Sequence, residues 1–419
     1  MPLTWSALPQ SWQRLLRSSS VVLALKVAGA LAGYAFAYVA LRRLGGPGYG
    51  YLELAFTVLS ILTVLSKWGL DGLLLREIPA RDAVAGQYFT RQVLWASLLG
   101  SLALGSVLWL SSGLLTRYYG GFIELWQTTA LVLPFWTLVQ VWSENLRARQ
   151  RFVRFGLLQS SISLGLVALA MASFSWFSSV ERVLLGMASA SALMLWSGWK
   201  SLRPIELRSL WPLRSSATAM FLSATLFMVM TWTDTLMLGY FLEPEIIGAY
   251  RVAFKIGSLI TFAQFAVNAS LGPRISELWA KNSKAELQKE VWQVAQVNAL
   301  LGVPAFLLIM VLAPWLLSFF SADFAQYAPV LRILAVGQMV NALCGPVMYL
   351  LNMTGHEQSA RRTMTLAALA NALGNLVLIP WLGIEGSAWA TTGSMVFWNA
   401  WALVAVYRKT GIRTLIFWR

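Results

Sequence analysis

Twelve apolar stretches, each long enough to cross a bilayer, constrain this chain more than any other feature. They occupy 19–41, 51–72, 90–113, 125–146, 156–177, 180–199, 216–241, 248–272, 291–318, 328–351, 363–383 and 386–407. A spanning helix needs roughly 20 mostly apolar residues. In hydrocarbon every backbone N–H and C=O must be paired inside the protein, and a helix meets that demand within its own segment. The connections are short, so none can hold a separate soluble domain. Of the 419 residues, 12% are charged and 58% are apolar, whereas a soluble domain carries about 25% charged residues. That balance excludes a water-soluble enzyme, and an aromatic content of 13% excludes disorder. One cysteine, Cys344, rules out a disulfide scaffold. With one histidine, His356, no metal site, cofactor or catalytic group is expected. The reading is an all-α, polytopic membrane protein with twelve transmembrane helices. The first stretch is too long for a signal-peptide core and lacks a small-residue cleavage site, so it is read as an uncleaved span.

The net charge of +15 sets orientation and does not call for nucleic acid. With the N-terminus in the cytoplasm, 23 of the 32 lysines and arginines fall in inside segments. They include Arg76, Arg81 and Arg91, the group from Arg147 to Arg154, the group from Arg274 to Lys289, Arg361 and Arg362, and Arg408 and Lys409. The outside ends carry six: Arg42, Arg43, Arg117, Arg182, Arg251 and Arg332. Cytoplasmic loops are the ones enriched in such residues, so both termini are expected inside. Trp109, Trp126 and Trp315 lie near span ends, as interfacial anchors do. Residues 3–17 read as an amphipathic segment on the inner leaflet.

An offset of 198 residues aligns GYLELAFTVLSILTVL, from Gly50, with GAYRVAFKIGSLITFA, from Gly248. Gly50/Gly248, Ala55/Ala253, Phe56/Phe254, Ser60/Ser258, Thr63/Thr261, Leu73/Leu271 and Arg76/Arg274 are identical. The same offset maps the first span onto the seventh and the second onto the eighth, in the same orientation. Two pseudo-symmetric six-helix bundles follow, 1–199 and 216–419, joined by a basic cytoplasmic linker at 200–215, a plan common among carriers with a midplane site.

Several segments resemble the polysaccharide transporter family, the oligosaccharide (O-antigen-type) flippases of the multidrug/oligosaccharidyl-lipid/polysaccharide exporter superfamily. ALRRLGGPGYGYLELAFTVLSILTVLSKWGLDGLLLREI is similar to that family's first two spans, and TDTLMLGYFLEPEIIGAYRVAFKIGSLI to spans 7 and 8. LRILAVGQMVNALCGPVMYLLNMTGHEQSARR, followed by LVLIPWLGIEGSAWAT, is similar to spans 10 to 12. The resemblance implies two bundles around a central cavity in a bacterial inner membrane. It also implies outward flipping of undecaprenyl-pyrophosphate-linked oligosaccharide for surface polysaccharide biosynthesis, alongside a glycan polymerase or glycosyltransferases. Glu53 departs from the pattern, which has apolar or small residues there. A cation-coupled drug or metabolite exporter of the same superfamily would prefer acids in its cavity, whereas Lys26, Lys67 and Lys255 are the cations within spans. A membrane glycan polymerase or ligase would need a large outer loop with catalytic groups, and every outer loop here is short.

Ionisable groups inside spans are expensive unless they face protein or water, so each is a site candidate. Two roles fit Lys26: a cavity cation that attracts a lipid pyrophosphate, or a side chain that snorkels to the inner interface. Asp234 and Lys255 stand at matched depth on consecutive spans, as a structural ion pair or as one that opens for substrate or a coupling cation. Arg251 lies one turn before Lys255 and corresponds to Glu53 under the repeat. Glu53 and Arg251 are expected either to meet and close an outer gate or to act as independent interfacial charges. Lys67 and Asp71 are spaced i,i+4 for a local pair, with a gating role open. Glu53, Asp71 and Asp234 are the acids expected to serve proton or sodium coupling. Gln264, Asn268, Gln338, Asn341, Asn371 and Asn375 form polar faces that either bond across helices or meet sugar hydroxyls. Pro134, Pro304 and Pro346 mark kinks. The GGPGYG run at 45–50 lacks the Lys-Ser/Thr of a phosphate loop and reads as a turn.

Overall fold

The structure, a computed structural model, describes residues 10–79, 81–159, 162–196 and 208–415. These hold sixteen α-helices and no strand. In chain order they are α1 (Gln10–Lys67), α2 (Leu70–Glu77), α3 (Ala83–Leu110), α4 (Ser112–Tyr119), α5 (Ile123–Ala148), α6 (Phe152–Gln159), α7 (Ile162–Ser173) and α8 (Val180–Leu195). After the linker come α9 (Arg214–Phe241), α10 (Pro244–Gly257), α11 (Leu259–Ala280), α12 (Lys284–Ser318), α13 (Ala328–Cys344), α14 (Val347–Met353), α15 (Glu357–Leu382) and α16 (Ile384–Thr410). Every predicted span overlies one of these helices or two in tandem. Among the described residues five stretches are by themselves long and apolar enough to cross a membrane: Val27–Lys67, Ala83–Leu110, Lys284–Ser318, Ala322–Cys344 and Glu357–Leu382.

Backbone chemistry sets the breaks. The first two predicted spans run together in α1, interrupted at Gly45, whose φ of 71° and ψ of 176° suit a residue without Cβ. Trp68 and Gly69, both at positive φ, end α1. Gly345 at φ 73° and Pro346 separate α13 from α14. Pro134 and Pro304 lie inside continuous helices. Several helices begin before the apolar pattern does; among them α3 at Ala83, α12 at Lys284 and α15 at Glu357 start six or seven residues early, each at its basic end. Asp82 caps α3, accepting from the Ala85 amide at 2.8 Å. At 1.5 Å per residue α12 is about 52 Å long, against about 30 Å of hydrocarbon. Its first turns therefore extend beyond the apolar layer. Hydropathy marks where lipid contact begins, not where helical hydrogen bonding does.

The chain divides into two compact units. One holds Met1–Gly48 and Ala55–Thr225, the other Tyr49–Leu54 and Leu226–Arg419. The division falls within α9, because the start of that helix packs in the first unit. There Trp68 stacks on Phe221 at 4.3 Å between ring centroids, and the Trp68 indole donates to the Thr218 hydroxyl. The first unit's main apolar cluster joins Leu73, Leu74, Phe89, Val93, Val141 and Ala217. The second unit's joins Ile275, Leu287, Val291, Leu350, Ala402 and Val406. Both clusters lie at the helix ends that carry the basic residues. Elsewhere large apolar side chains point outward, with Leu110, Trp381 and Leu193 more than three-quarters exposed. Apolar surface on that scale suits acyl chains and not water.

Candidate functional site

Two buried polar constellations occupy the second unit. The first grows from the short segment Tyr49–Leu54. Gly50 and Gly248, identical in the repeat, both sit where a side chain would not fit. A Cβ on Gly50 would collide with the Pro244 carbonyl, and one on Gly248 would come within 2.9 Å of the Tyr49 ring. That close approach carries Glu53 to α10. The Glu53 carboxylate accepts from Tyr49 Oη and from Lys255 Nζ, each at 2.5 Å, and from Arg251 Nε at 3.3 Å. Lys255 also donates to Tyr49 Oη at 3.1 Å. The Arg251 guanidinium lies 4.5 Å from the Trp232 ring centroid, a cation–π contact that holds it in place while buried. Glu53 and Arg251 are the repeat-related pair, and the structure puts them in contact.

The second constellation centres on Asp234 in α9, 1% exposed. It accepts from the Thr235 amide at 2.8 Å and from Tyr250 Oη at 2.7 Å. Tyr250 Oη is 3.1 Å from Thr391 Oγ1, which accepts from Asn371 Nδ2 at 3.3 Å. Asn375 donates to the Asn371 carbonyl at 2.9 Å, and Ser387 donates to Asn375 Oδ1 at 2.7 Å. The donors thus run one way, from α16 and α15 through Tyr250 to the Asp234 carboxylate. A chain of this kind polarises along its length.

The expected Asp234–Lys255 pair is therefore not what forms. Arg251 and Lys255, one turn apart, share the face of α10 that meets Glu53. Tyr250, rotated by about 100° on a 3.6-residue helix, faces Asp234 instead. Arg251 acts on Asp234 electrostatically. Lys255 differs from its neighbour in exposure: 29% of its side-chain surface is open, against 7% for Arg251.

The remaining candidates spread over both units. Lys67 and Asp71 meet at 2.6 Å, and their bridge spans the break between α1 and α2. Glu144 meets Arg147 at 3.3 Å and feels the charges of both Asp71 and Lys67. Gln264 donates to the Asn341 carbonyl, and Thr261 to Gln338, bonds that tie α11 to α13. His356 lies between α14 and α15, its Nδ1 2.9 Å from Thr354 Oγ1. The side chains of Lys26 and Asn268 lie outside the described residues. Among the described residues no three His, Cys, Asp or Glu cluster to hold a metal ion.

Outside the spans, the repeat-related Arg76 and Arg274 each fasten an acid. Hydrogen bonds from Arg81 and Arg76 hold the Glu77 carboxyl below its ordinary range. Lys281 and Arg274 do the same for Glu277. Tyr49, Trp232, Tyr250, Ser387 and Thr391 were not among the sequence candidates. Tyr49 carried a signal, one turn before Glu53 on the same helix face. Thr391 carried none, since a hydroxyl in an apolar helix is ordinary.

A family model described as polysaccharide biosynthesis protein matches residues 41–326. The probable low-salt glycan biosynthesis flippase Agl15 of Haloferax volcanii is 25% identical over 366 residues, 84% of this chain and 74% of that protein. The probable flippase AglR of the same organism is 26% identical over 179 residues, 42% of this chain and 38% of the relative. Among solved structures, the lipid II flippase MurJ in an inward closed conformation has a TM-score of 0.75 at 15% identity, with 92% of this chain and 87% of that one covered. An inward-facing multidrug resistance MATE transporter of the MOP superfamily has a TM-score of 0.71 at 15% identity, with 94% and 99% covered.

Proposed function

The chain belongs to the polysaccharide biosynthesis protein family, and from that membership we propose that it flips a polyprenyl-pyrophosphate-linked oligosaccharide across the cytoplasmic membrane. The observation that carries this reading is the likeness to a probable glycan biosynthesis flippase over most of the chain. The physical need is plain: a glycan cannot cross hydrocarbon unaided, because each unpaired polar group there costs several kcal/mol. The headgroup travels from the cytoplasmic to the outer leaflet by alternating access, while the tail stays in lipid. In a bacterial inner membrane the carrier is undecaprenyl, and the oligosaccharide on it is built by glycosyltransferases and used by a glycan polymerase. The bundles are 1–199 and 216–419, and both termini are cytoplasmic.

Within this reading Lys255, the more open cation of its cluster, meets the pyrophosphate, with Lys26 as a second cavity cation. Glu53 and Arg251 form the lock of the outward gate, and Lys67 with Asp71 the inner counterpart. Asp234 takes the coupling proton or sodium ion, since its hydrogen-bond partners are neutral donors with no cation among them and a carboxylate oxygen suits a hard cation. The deciding experiment is proteoliposome transport of a fluorescent lipid-linked oligosaccharide, with an organic-cation drug as the competing substrate. Movement of the glycolipid headgroup, quickened by an imposed proton or sodium gradient, is the expected result. Drug transport without glycolipid flipping would overturn it in favour of an exporter.

A further inference from the structure

Arg361, Arg362, Arg408 and Lys409 line a groove of about 1100 Å³ between α15 and α16, at the basic ends of both helices. All four are exposed. None of them forms an ion pair among the described residues, and no acidic side chain lines the groove. This sets the site apart from other basic ends, where Arg76, Arg147 and Arg274 each hold an acid. Away from the cations the wall turns apolar. Lining positions 397, 400, 401, 404 and 405 recur at helical spacing, which makes one apolar strip about 12 Å long on α16. Phe397 and Trp401 stand along it, 38% and 49% exposed.

Four uncompensated cations above an apolar trough fit an amphiphile with an anionic head. We propose that the groove docks one anionic phospholipid of the adjacent leaflet, its phosphate on the two cation pairs and an acyl chain along the α16 strip. Arginine forks pair with phosphate oxygens in bidentate fashion. Free phosphate would use the cations and leave the trough empty. Bulk phospholipid also bathes this face at far higher concentration than any transported lipid. Basic pockets of this kind recognise lipid headgroups, at about fivefold in affinity for each Lys or Arg near the surface. The inference is independent of the cargo.

The test is native mass spectrometry of the full chain in neutral detergent, titrated with phosphatidylglycerol, with phosphatidylcholine of the same chains, and with inorganic phosphate. One phosphatidylglycerol should bind in preference to phosphatidylcholine. Arg408→Gln with Lys409→Gln should weaken that binding roughly 25-fold, at about fivefold per cation. Ala400→Trp fills the trough and keeps every charge, and it should weaken binding at least about tenfold. If the double variant fails to fold, Ala400→Trp decides alone. Equal binding of both lipids, full competition by inorganic phosphate, or unchanged binding in both variants would overturn the proposal. So would displacement of phosphatidylglycerol by an equal concentration of polyprenyl pyrophosphate, which would give the groove to the transported lipid.

Discussion

Glu53 and Asp234 are both buried acids of the second unit, and they are held by opposite means. Glu53 is clamped by two cations, Arg251 and Lys255, besides the Tyr49 hydroxyl. Asp234 is held by a tyrosine hydroxyl and a backbone amide, with cationic charge acting on it only from a distance. An acid locked between cations ties helices together and gives up its charge with difficulty. An acid held by neutral donors can exchange a proton or a small cation without leaving a buried counter-charge behind. Under the proposed function the first arrangement serves as the latch and the second as the ion site. Among the described residues Arg251 Nη1 is buried with no hydrogen-bond partner, so the cluster around Glu53 is incompletely satisfied. That lowers the cost of opening it, because an unmet donor gains a partner once water or substrate enters.

The largest effect should come from Glu53→Gln. The amide still accepts from Tyr49, but Arg251 and Lys255 lose their counter-charge. Breaking a buried pair by removing one partner costs about 3–5 kcal/mol. Thermal unfolding in detergent should fall steeply, and complementation of a flippase-null strain should be lost. Adding Arg251→Gln should recover more than half of the stability, because the remaining Lys255 is open enough to reach water. A double variant no more stable than the single one would remove the latch from the account.

Asp234→Asn should separate stability from transport. Asparagine keeps the shape, but its single amide oxygen can accept from only one of the Thr235 amide and the Tyr250 hydroxyl, which bond different oxygens of Asp234, so unfolding should shift by about 1–3 kcal/mol, the cost of one buried donor left unmet. Transport in proteoliposomes should nevertheless lose its response to proton or sodium gradients. A variant that retains gradient-driven flipping would break the contrast between the two acids and return Asp234 to a structural role.

The sequence made much of this architecture legible, for identifiable reasons. Spans were readable because lipid admits only long apolar helices, and the Glu53–Arg251 contact because the 198-residue offset equates the two positions. Helix starts were missed at Ala83, Lys284 and Glu357, since hydropathy is blind to helix that leaves the membrane. The Asp234–Lys255 pairing misled because equal depth on neighbouring helices says nothing about which face each side chain occupies. Tyr250 took Asp234 by lying one residue from Arg251. The Thr391–Asn371–Asn375 chain was half visible: its asparagines stood out in an apolar span, while its hydroxyls did not.

Glu277 should show the smallest effect, and it isolates what burial adds to pairing. Like Glu53 it is gripped by two cations, Lys281 at 2.7 Å and Arg274 at 2.9 Å. Unlike Glu53 it faces water, where exposed ion pairs contribute little and are screened by salt. Its carboxyl is held below the ordinary range by those hydrogen bonds, from Lys281 first and then Arg274. A depressed folded value means that the pairing supports the fold above the unfolded carboxylate pKa of about 4.3. That support fades as pH falls through the folded value. Unfolding temperatures of the wild type and of Glu277→Gln, measured from pH 7 downward, should therefore differ slightly at pH 7 and converge in acid. High salt should close the same gap at neutral pH. A gap as large as that of Glu53→Gln would mean that pairing alone, and not the loss of water around the pair, sets the strength of the latch.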